Sequence, residues 1–228
     1  MNYFIRIVFI LGVLFNFYTA GYTYEKIKNQ EENYVIYLPK AIENNHAKVL
    51  VILHGWGMSF KQEVERWEFN AEKKKFIIIG FDINYGDIKT DADIADIYNK
   101  IEKAIGELNT KYKIDIDKVY TAGTSAGGML AINLLLRYPD SFYSCASISG
   151  SKLRRFDSGQ YIFNAKGKKF YLFHGDKDKV VSVNETYIAE KELKENEGMV
   201  EIFIFENGGH TLNSEAYSKA VTKLANDN

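Results

Sequence analysis

The stretch Val119-Tyr120-Thr121-Ala122-Gly123-Thr124-Ser125-Ala126-Gly127-Gly128-Met129 decides the fold. It opens on residues of strand type, passes through Gly-Thr-Ser-Ala-Gly, and enters an apolar run, Ala126 to Tyr138, that Pro139 stops. A strand, a G-x-S-x-G turn and a helix in that order place the serine on a sharp, strained corner, its hydroxyl projecting from the C-terminal edge of a sheet. Gly123, Gly127 and Gly128 let strand and helix approach closely enough to make the corner. The start of the helix adds free N–H groups and a positive dipole end.

The same alternation extends in both directions. Short apolar runs read as strands at Tyr34–Leu38, Val49–Leu53, Phe76–Phe81, Lys118–Ala122, Ser144–Ser149, Phe170–Phe173 and Glu201–Phe205. Between them lie helical patterns. Ser59 and Gln62 form a capping box ahead of Phe60, Val64, Trp67 and Ala71 on one face. After Asp91 and Asp93, the stripe Ile94, Ile97, Ile101, Ile105, Leu108 predicts a second helix. Asn184 is expected to cap another, with Tyr187, Ile188 and Leu193, and Tyr217, Ala220, Val221 and Leu224 mark the last. Alternating β and α elements predict an α/β fold, with a mainly parallel central sheet and helices on both faces. The chain carries no internal repeat and no linker, so one domain is expected.

Composition narrows the function. Of 228 residues, 46% are hydrophobic, 26% charged and 14% aromatic, which excludes a disordered or fibrous chain. With 29 basic against 30 acidic residues and no basic block, nucleic acid is not an expected partner. Cys145 is the single cysteine, so no intramolecular disulfide can form; its apolar strand marks a buried structural thiol. The histidines are dispersed, and neither a metal nor a cofactor is expected.

Residues 1–20 stand apart. Arg6 precedes the apolar run Ile7 to Phe15, and a more polar stretch leads to Ala20. This is the plan of a cleaved signal peptide, although an uncleaved anchor and a structural helix remain alternatives. The expected product is residues 21–228, secreted or periplasmic, with no stable membrane association once the signal is removed.

A serine hydroxyl needs a base to become a nucleophile. His46 lies in the polar stretch Glu43-Asn44-Asn45-His46 and reads as a solvated loop residue, while His54 and His174 end strands and suit loop braces. His210, after Glu206-Asn207-Gly208-Gly209, lies on the loop after the last strand and is the expected general base, a surface turn being the alternative. That base needs an acceptor to fix its tautomer. Asp176 and Asp178 both follow the strand Phe170–Phe173; Asp178 lies further into the loop and is the expected partner, with Asp176 the alternative. Two N–H donors must meet the oxyanion of the transition state. One is expected from Ala126, the other from the turn His54-Gly55-Trp56-Gly57, at Trp56. The Trp56 indole lines a substrate pocket or packs in the core. Gly150 to Lys168, with Arg154, Arg155, Tyr161 and Phe163, forms either a small lid whose aromatics, Tyr161 among them, face substrate, or a plain connection.

These motifs resemble one family, the α/β-hydrolases of the polyhydroxybutyrate depolymerase and feruloyl esterase group. The likeness rests on Leu53-His54-Gly55, the stretch 119–129, Arg137-Tyr138-Pro139-Asp140, His174-Gly175 with Asp178, and Gly208-Gly209-His210-Thr211. It runs from about residue 33 onward. The chain order Ser125, Asp178, His210 is that of this fold. The resemblance implies a minimal-cap α/β-hydrolase with Ser125, Asp178 and His210 as triad and the Trp56 and Ala126 amides as oxyanion donors. Trp56 stands where the family often has cysteine, and the family's disulfides are absent. No polymer-binding module follows in the sequence, so soluble feruloyl, acetyl or short hydroxyacyl esters are the expected substrates, small or oligomeric. A serine peptidase or acyltransferase on the same fold is the competing expectation.

Overall fold

Among the described residues, eight strands form one sheet in the order β1-β2-β4-β3-β5-β6-β7-β8. They are β1 (Glu25–Asn29), β2 (Tyr34–Leu38), β3 (Val49–Leu53), β4 (Ile77–Phe81), β5 (Val119–Thr124), β6 (Ser144–Ile148), β7 (Lys169–Gly175) and β8 (Met199–Phe205). This computed structural model describes residues 25–29, 33–40, 47–112 and 118–227; the expected signal and His46 lie outside them. From β4 to β8 every pairing is parallel, whereas β1 and β2 run antiparallel at one edge. No apolar run marks β1, because Glu25-Lys26-Ile27-Lys28-Asn29 holds a single apolar residue.

Among the described residues, five α-helices cover the sheet: α1 (Phe60–Lys74), α2 (Asp91–Tyr112), α3 (Ala126–Arg137), α4 (Asn184–Glu195) and α5 (Ser214–Ala225). Strand residues alternate between two cores. Val49, Val51, Leu53, Ile77 and Ile79 pack with Ile94, Ile101, Leu130, Leu134 and Leu193 of α2, α3 and α4. Leu50, Ile52, Ile78, Tyr120 and Ala122 pack with Val64 and Trp67 of α1 and Tyr217, Val221 and Leu224 of α5. Strands covered on both faces explain the unbroken apolar runs of β3 and β4.

Two helix starts differ from expectation. Ser59 occupies the N-cap of α1, but its hydroxyl makes no capping bond, so the capping box with Gln62 does not form. Asn184 is the first residue of α4 and Val183 its N-cap. On α4 the face turned inward carries Thr186, Ala189 and Leu193, which leaves Tyr187 and Ile188 about half exposed, at 45% and 46%. The segment after β6 folds into two short 3-10 turns, Leu153–Phe156 and Ser158–Ala165. They are bound to α3: Asn133 Nδ2 donates to the Phe156 carbonyl (2.6 Å) and to Ser158 Oγ (2.9 Å), and Asn164 Nδ2 donates to the Leu136 carbonyl (2.8 Å). This segment is therefore a minimal cap fastened to the body.

Beneath the end of β5 lies a buried carboxylate. Glu63 of α1 has no solvent exposure. Its Oε1 accepts from the Thr124 hydroxyl (2.5 Å) and the Trp67 indole N–H (3.0 Å), and its Oε2 from Arg66 Nη1 (3.3 Å). Burial pushes the Glu63 carboxyl above its usual range, and the bonds from Thr124 and Trp67 offset this only in part. The folded chain thus holds this proton more tightly than the unfolded chain, whose glutamates titrate near about 4.3. The associated stability is present below that value and is lost as pH rises through the raised folded value. Glu63→Gln removes the titration. The melting temperature of Glu63→Gln relative to the parent is expected to rise as pH increases above the unfolded value of about 4.3, as read by thermal unfolding at each pH.

Candidate active site

The parallel register brings four loops to one edge of the sheet. Leu53 pairs with Gly123, so the turn after β3 and the turn after β5 leave side by side. Gly175 pairs with Phe205, which does the same for the loops after β7 and β8.

At the end of β5, Ser125 has φ 55° and ψ −120°, a left-handed conformation costly for a residue with a Cβ, by about 1–3 kcal/mol. Its neighbours hold it there. The Ser125 N–H donates to the Ile148 carbonyl (2.8 Å), and the Ser125 carbonyl accepts from Met129 N–H (3.0 Å). A Cβ on Gly123 would sit 2.4 Å from the Leu53 carbonyl oxygen, one on Gly127 2.0 Å from the same atom, and one on Gly150 2.3 Å from the Ser125 carbonyl oxygen. These contacts are with backbone and cannot yield as a flexible side chain could.

His210 lies within hydrogen-bond reach of this serine. Its Nε2 is 3.0 Å from Ser125 Oγ and its Nδ1 2.7 Å from Asp178 Oδ2. A carboxylate only accepts, so Nδ1 carries the hydrogen and Nε2 is left to accept from the serine hydroxyl. Asp178 Oδ1 accepts from the amides of Val180 (2.8 Å) and Val181 (3.0 Å). Burial raises the Asp178 carboxyl, but the bond from His210 and those from the Val181 and Val180 amides outweigh it, and its pKa lies below the usual carboxylate value. The Asp178 side chain is wholly buried, while 24% of the His210 side chain is exposed. Asp176, the alternative acid, does not meet His210: its Oδ1 is buried without a hydrogen-bond partner among the described residues. The Asp178–His210 meeting depends on close contact between their loops, with Lys177 N–H donating to the Gly208 carbonyl (2.8 Å).

The other two described histidines are braced on both nitrogens. His54 Nε2 accepts from the Ile83 N–H (3.0 Å), so Nδ1 donates to the Gly55 carbonyl (2.7 Å). The Tyr85 hydroxyl donates to the His54 carbonyl (2.6 Å). These bonds tie down the carbonyls on the N-terminal side of Trp56. As the first residue of α3, Ala126 has an amide with no acceptor in its own helix. His174 is held by Val181 and Thr186.

Trp56 is not in the core: 56% of it is exposed. Its indole stacks on Tyr85 (6.2 Å between centroids, 25° between planes), and the Arg155 guanidinium lies 5.2 Å from its ring. Tyr161, expected to face substrate, is engaged elsewhere. Its hydroxyl accepts from Arg137 Nη1 (3.0 Å) and donates to Asp91 Oδ2 (3.1 Å), and Arg137 lies over its ring at 4.2 Å. The attraction of that guanidinium for both ring and carboxylate fixes Tyr161 between α2 and α3 as a brace for the cap. Cys145 is fully buried, and burial pushes its thiol well up, which keeps it protonated and inert.

Three contributors had not been singled out. Glu63 sits three residues after Phe60 and four before Trp67, on the buried stripe of α1, and a carboxylate in that phase was the legible signal. Tyr85 and Gly150 act through contacts far apart in sequence, and no local pattern marks them.

Residues 76–226 match the phospholipase/carboxylesterase family. Among solved structures, a Bacillus cereus carboxylesterase superposes with a TM-score of 0.64 at 19% identity, covering 84% of this chain and 92% of that one. A ferulic acid esterase gives 0.67 at 17% identity (88% and 97% covered), and a substrate-bound fluorophosphonate-binding serine hydrolase of Staphylococcus aureus gives 0.67 at 15% (95% and 98%). At such identities the likeness is one of fold, the α/β-hydrolase fold. Among proteins of curated function, none matches the sequence. With the family match covering most of the chain, the protein belongs to the phospholipase/carboxylesterase family and is a serine hydrolase of the carboxylic-ester type.

Proposed function

We propose that this protein is exported and hydrolyses soluble carboxylic esters, feruloyl, acetyl or short hydroxyacyl, through an acyl intermediate on Ser125. The observation that carries this reading is the chain of contacts Ser125 Oγ–His210 Nε2 (3.0 Å) and His210 Nδ1–Asp178 Oδ2 (2.7 Å) at a serine with positive φ. In the first half-reaction His210 takes the hydroxyl proton as Ser125 attacks the ester carbonyl. The Ala126 and Trp56 amides hold the oxyanion, each contributing about 3–4 kcal/mol to barrier lowering. Asp178 stays ionised and stabilises the imidazolium, which then protonates the departing alcohol. In the second half-reaction His210 deprotonates water, which attacks the acyl-serine; collapse returns the proton to Ser125 and releases the acid.

The flat, exposed Trp56 ring beside the proposed oxyanion site suits a planar acyl group, which places feruloyl-type esters ahead of purely aliphatic ones and is consistent with the polyhydroxybutyrate depolymerase and feruloyl esterase group. Tyr161, engaged with Arg137 and Asp91, is assigned to bracing. The order of charge and hydrophobicity in residues 1–20 supports a signal, leaving 21–228 as one catalytic domain in the periplasm or outside the cell.

Ser125→Ala is expected to lower turnover of p-nitrophenyl acetate by about 10⁶-fold while thermal unfolding stays near that of the parent. A folded variant that retains the parent rate refutes the assignment. Trp56→Ala keeps the backbone amide and removes the ring. It should raise KM for a feruloyl ester by about threefold to tenfold, leaving an acetyl ester within about twofold, in parallel Michaelis–Menten measurements. N-terminal sequencing of the full chain expressed in a secreting host should find mature protein that begins after Ala20; protein retaining Met1 in the membrane fraction would favour an anchor.

A further inference from the structure

His174 takes no part in the proton transfers above, yet it lies against the carboxylate that supports them. Its side chain, at the end of β7, is wholly buried. Nε2 is 2.9 Å from the Val181 carbonyl oxygen and 3.0 Å from Asp178 Oδ2, the same carboxylate oxygen that meets His210. Both oxygens are acceptors, so Nε2 must carry the hydrogen, which is aimed at the Val181 carbonyl. Nδ1, 2.7 Å from Thr186 Oγ1, then accepts from that hydroxyl. A single neutral tautomer satisfies every partner.

The consequence reaches the reaction through Val181. Its carbonyl is held by His174, and its own N–H donates to Asp178 Oδ1 at 3.0 Å, beside the Val180 N–H at 2.8 Å. A continuous chain therefore runs from Thr186 on α4, through the imidazole and the Val181 peptide, to the carboxylate. Asp178 Oδ1 is fixed by two amides; Oδ2 has the His174 N–H on one side and His210 on the other. Building on the triad reading, we infer that His174 is a positioning residue for ester hydrolysis: it locks the 178–181 loop and keeps the Asp178 carboxylate turned toward His210. It exchanges no proton. Its effect is on how often His210 is presented to Ser125 in the right orientation, which enters kcat and leaves substrate binding untouched.

Two substitutions at 174 separate this role from a packing role, with kcat and KM measured on p-nitrophenyl acetate for the full chain and thermal unfolding followed in parallel. His174→Leu removes both nitrogens and is expected to lower kcat by about 100-fold with KM within about twofold. His174→Gln can place an amide N–H near the position of Nε2 and is expected to recover about tenfold of that loss. Thr186→Val keeps the imidazole and its Nε2 partners but removes the hydroxyl that anchors Nδ1 to α4; kcat should fall by about fivefold, again without a KM change. It supplies the test if His174→Leu does not fold. An active parent whose kcat is unchanged in folded His174→Leu, or in Thr186→Val where His174→Leu does not fold, overturns this inference alone. So does a loss that Gln fails to recover. A parent with no Ser125-dependent hydrolysis overturns the triad reading, and this inference with it.

Discussion

The crossing of β3, β5 and α3 leaves no space for a side chain, and the site is built on that crowding. The Leu53 carbonyl oxygen would meet a Cβ from Gly123 at 2.4 Å and from Gly127 at 2.0 Å. With strand and helix pressed together this closely, the connecting residue must reverse the chain in a single step, and Ser125 does so at φ 55°. The strain of about 1–3 kcal/mol at this residue is sustained because the surrounding backbone bonds and the apolar packing of α3 determine the corner independently of the serine. The buried face of α3 from Ala126 to Leu136 is therefore part of the site, although it contacts no reacting atom.

Two wholly buried carboxylates near this corner show how donors decide the charge of a buried acid. Asp178 is met by His210 and two backbone amides, and its pKa lies below the ordinary value despite burial. Glu63 is met by a hydroxyl, an indole and a partly exposed guanidinium, and burial dominates. The first environment favours a permanent anion, which is what stabilises an imidazolium beside it. The second raises the Glu63 pKa while Glu63 anchors the turn at Thr124 through the hydrogen bond it accepts.

Much of this was legible in the sequence, for identifiable reasons. Strands β2 and β3 were readable to the residue because both faces are covered and their apolar runs begin and end at the layer boundary. The C-terminal ends of β5 and β7 run past their apolar cores into Gly123-Thr124 and His174-Gly175, since hydrogen-bond pairing continues where hydrophobicity stops, while β8 begins two residues before Glu201, at Met199. The edge strand β1 carries no burial signal at all. Ser125, Asp178 and His210 could be named because each follows a strand whose direction is fixed by the βα alternation. The choice between Asp176 and Asp178 rested on distance into the loop, whereas what brings Asp178 to His210 is the Lys177–Gly208 backbone bond, invisible before the strands pair. The bonds of Tyr161 were hidden for a similar reason: its partners Arg137 and Asp91 lie 24 and 70 residues away.

The described histidines make the remaining argument, because their nitrogens divide the labour. An imidazole can carry a proton between groups only if one nitrogen faces a partner able to give or take it, and the other a partner that tolerates the charge. His54 has a backbone N–H on one nitrogen and a backbone carbonyl on the other, so any added proton would sever the bond that holds its loop. His174 has the Val181 carbonyl and Asp178 Oδ2 on Nε2 and the Thr186 hydroxyl on Nδ1, with no exposure to solvent, so water reaches neither nitrogen. His210 faces the Asp178 carboxylate with one nitrogen and the Ser125 hydroxyl with the other, and unlike the two buried rings it leaves 24% of its side chain open to solvent. The fold thus uses two buried imidazoles as rigid struts, one under the Trp56 turn and one under the Asp178 loop, and leaves the third described ring at the open edge beside Ser125.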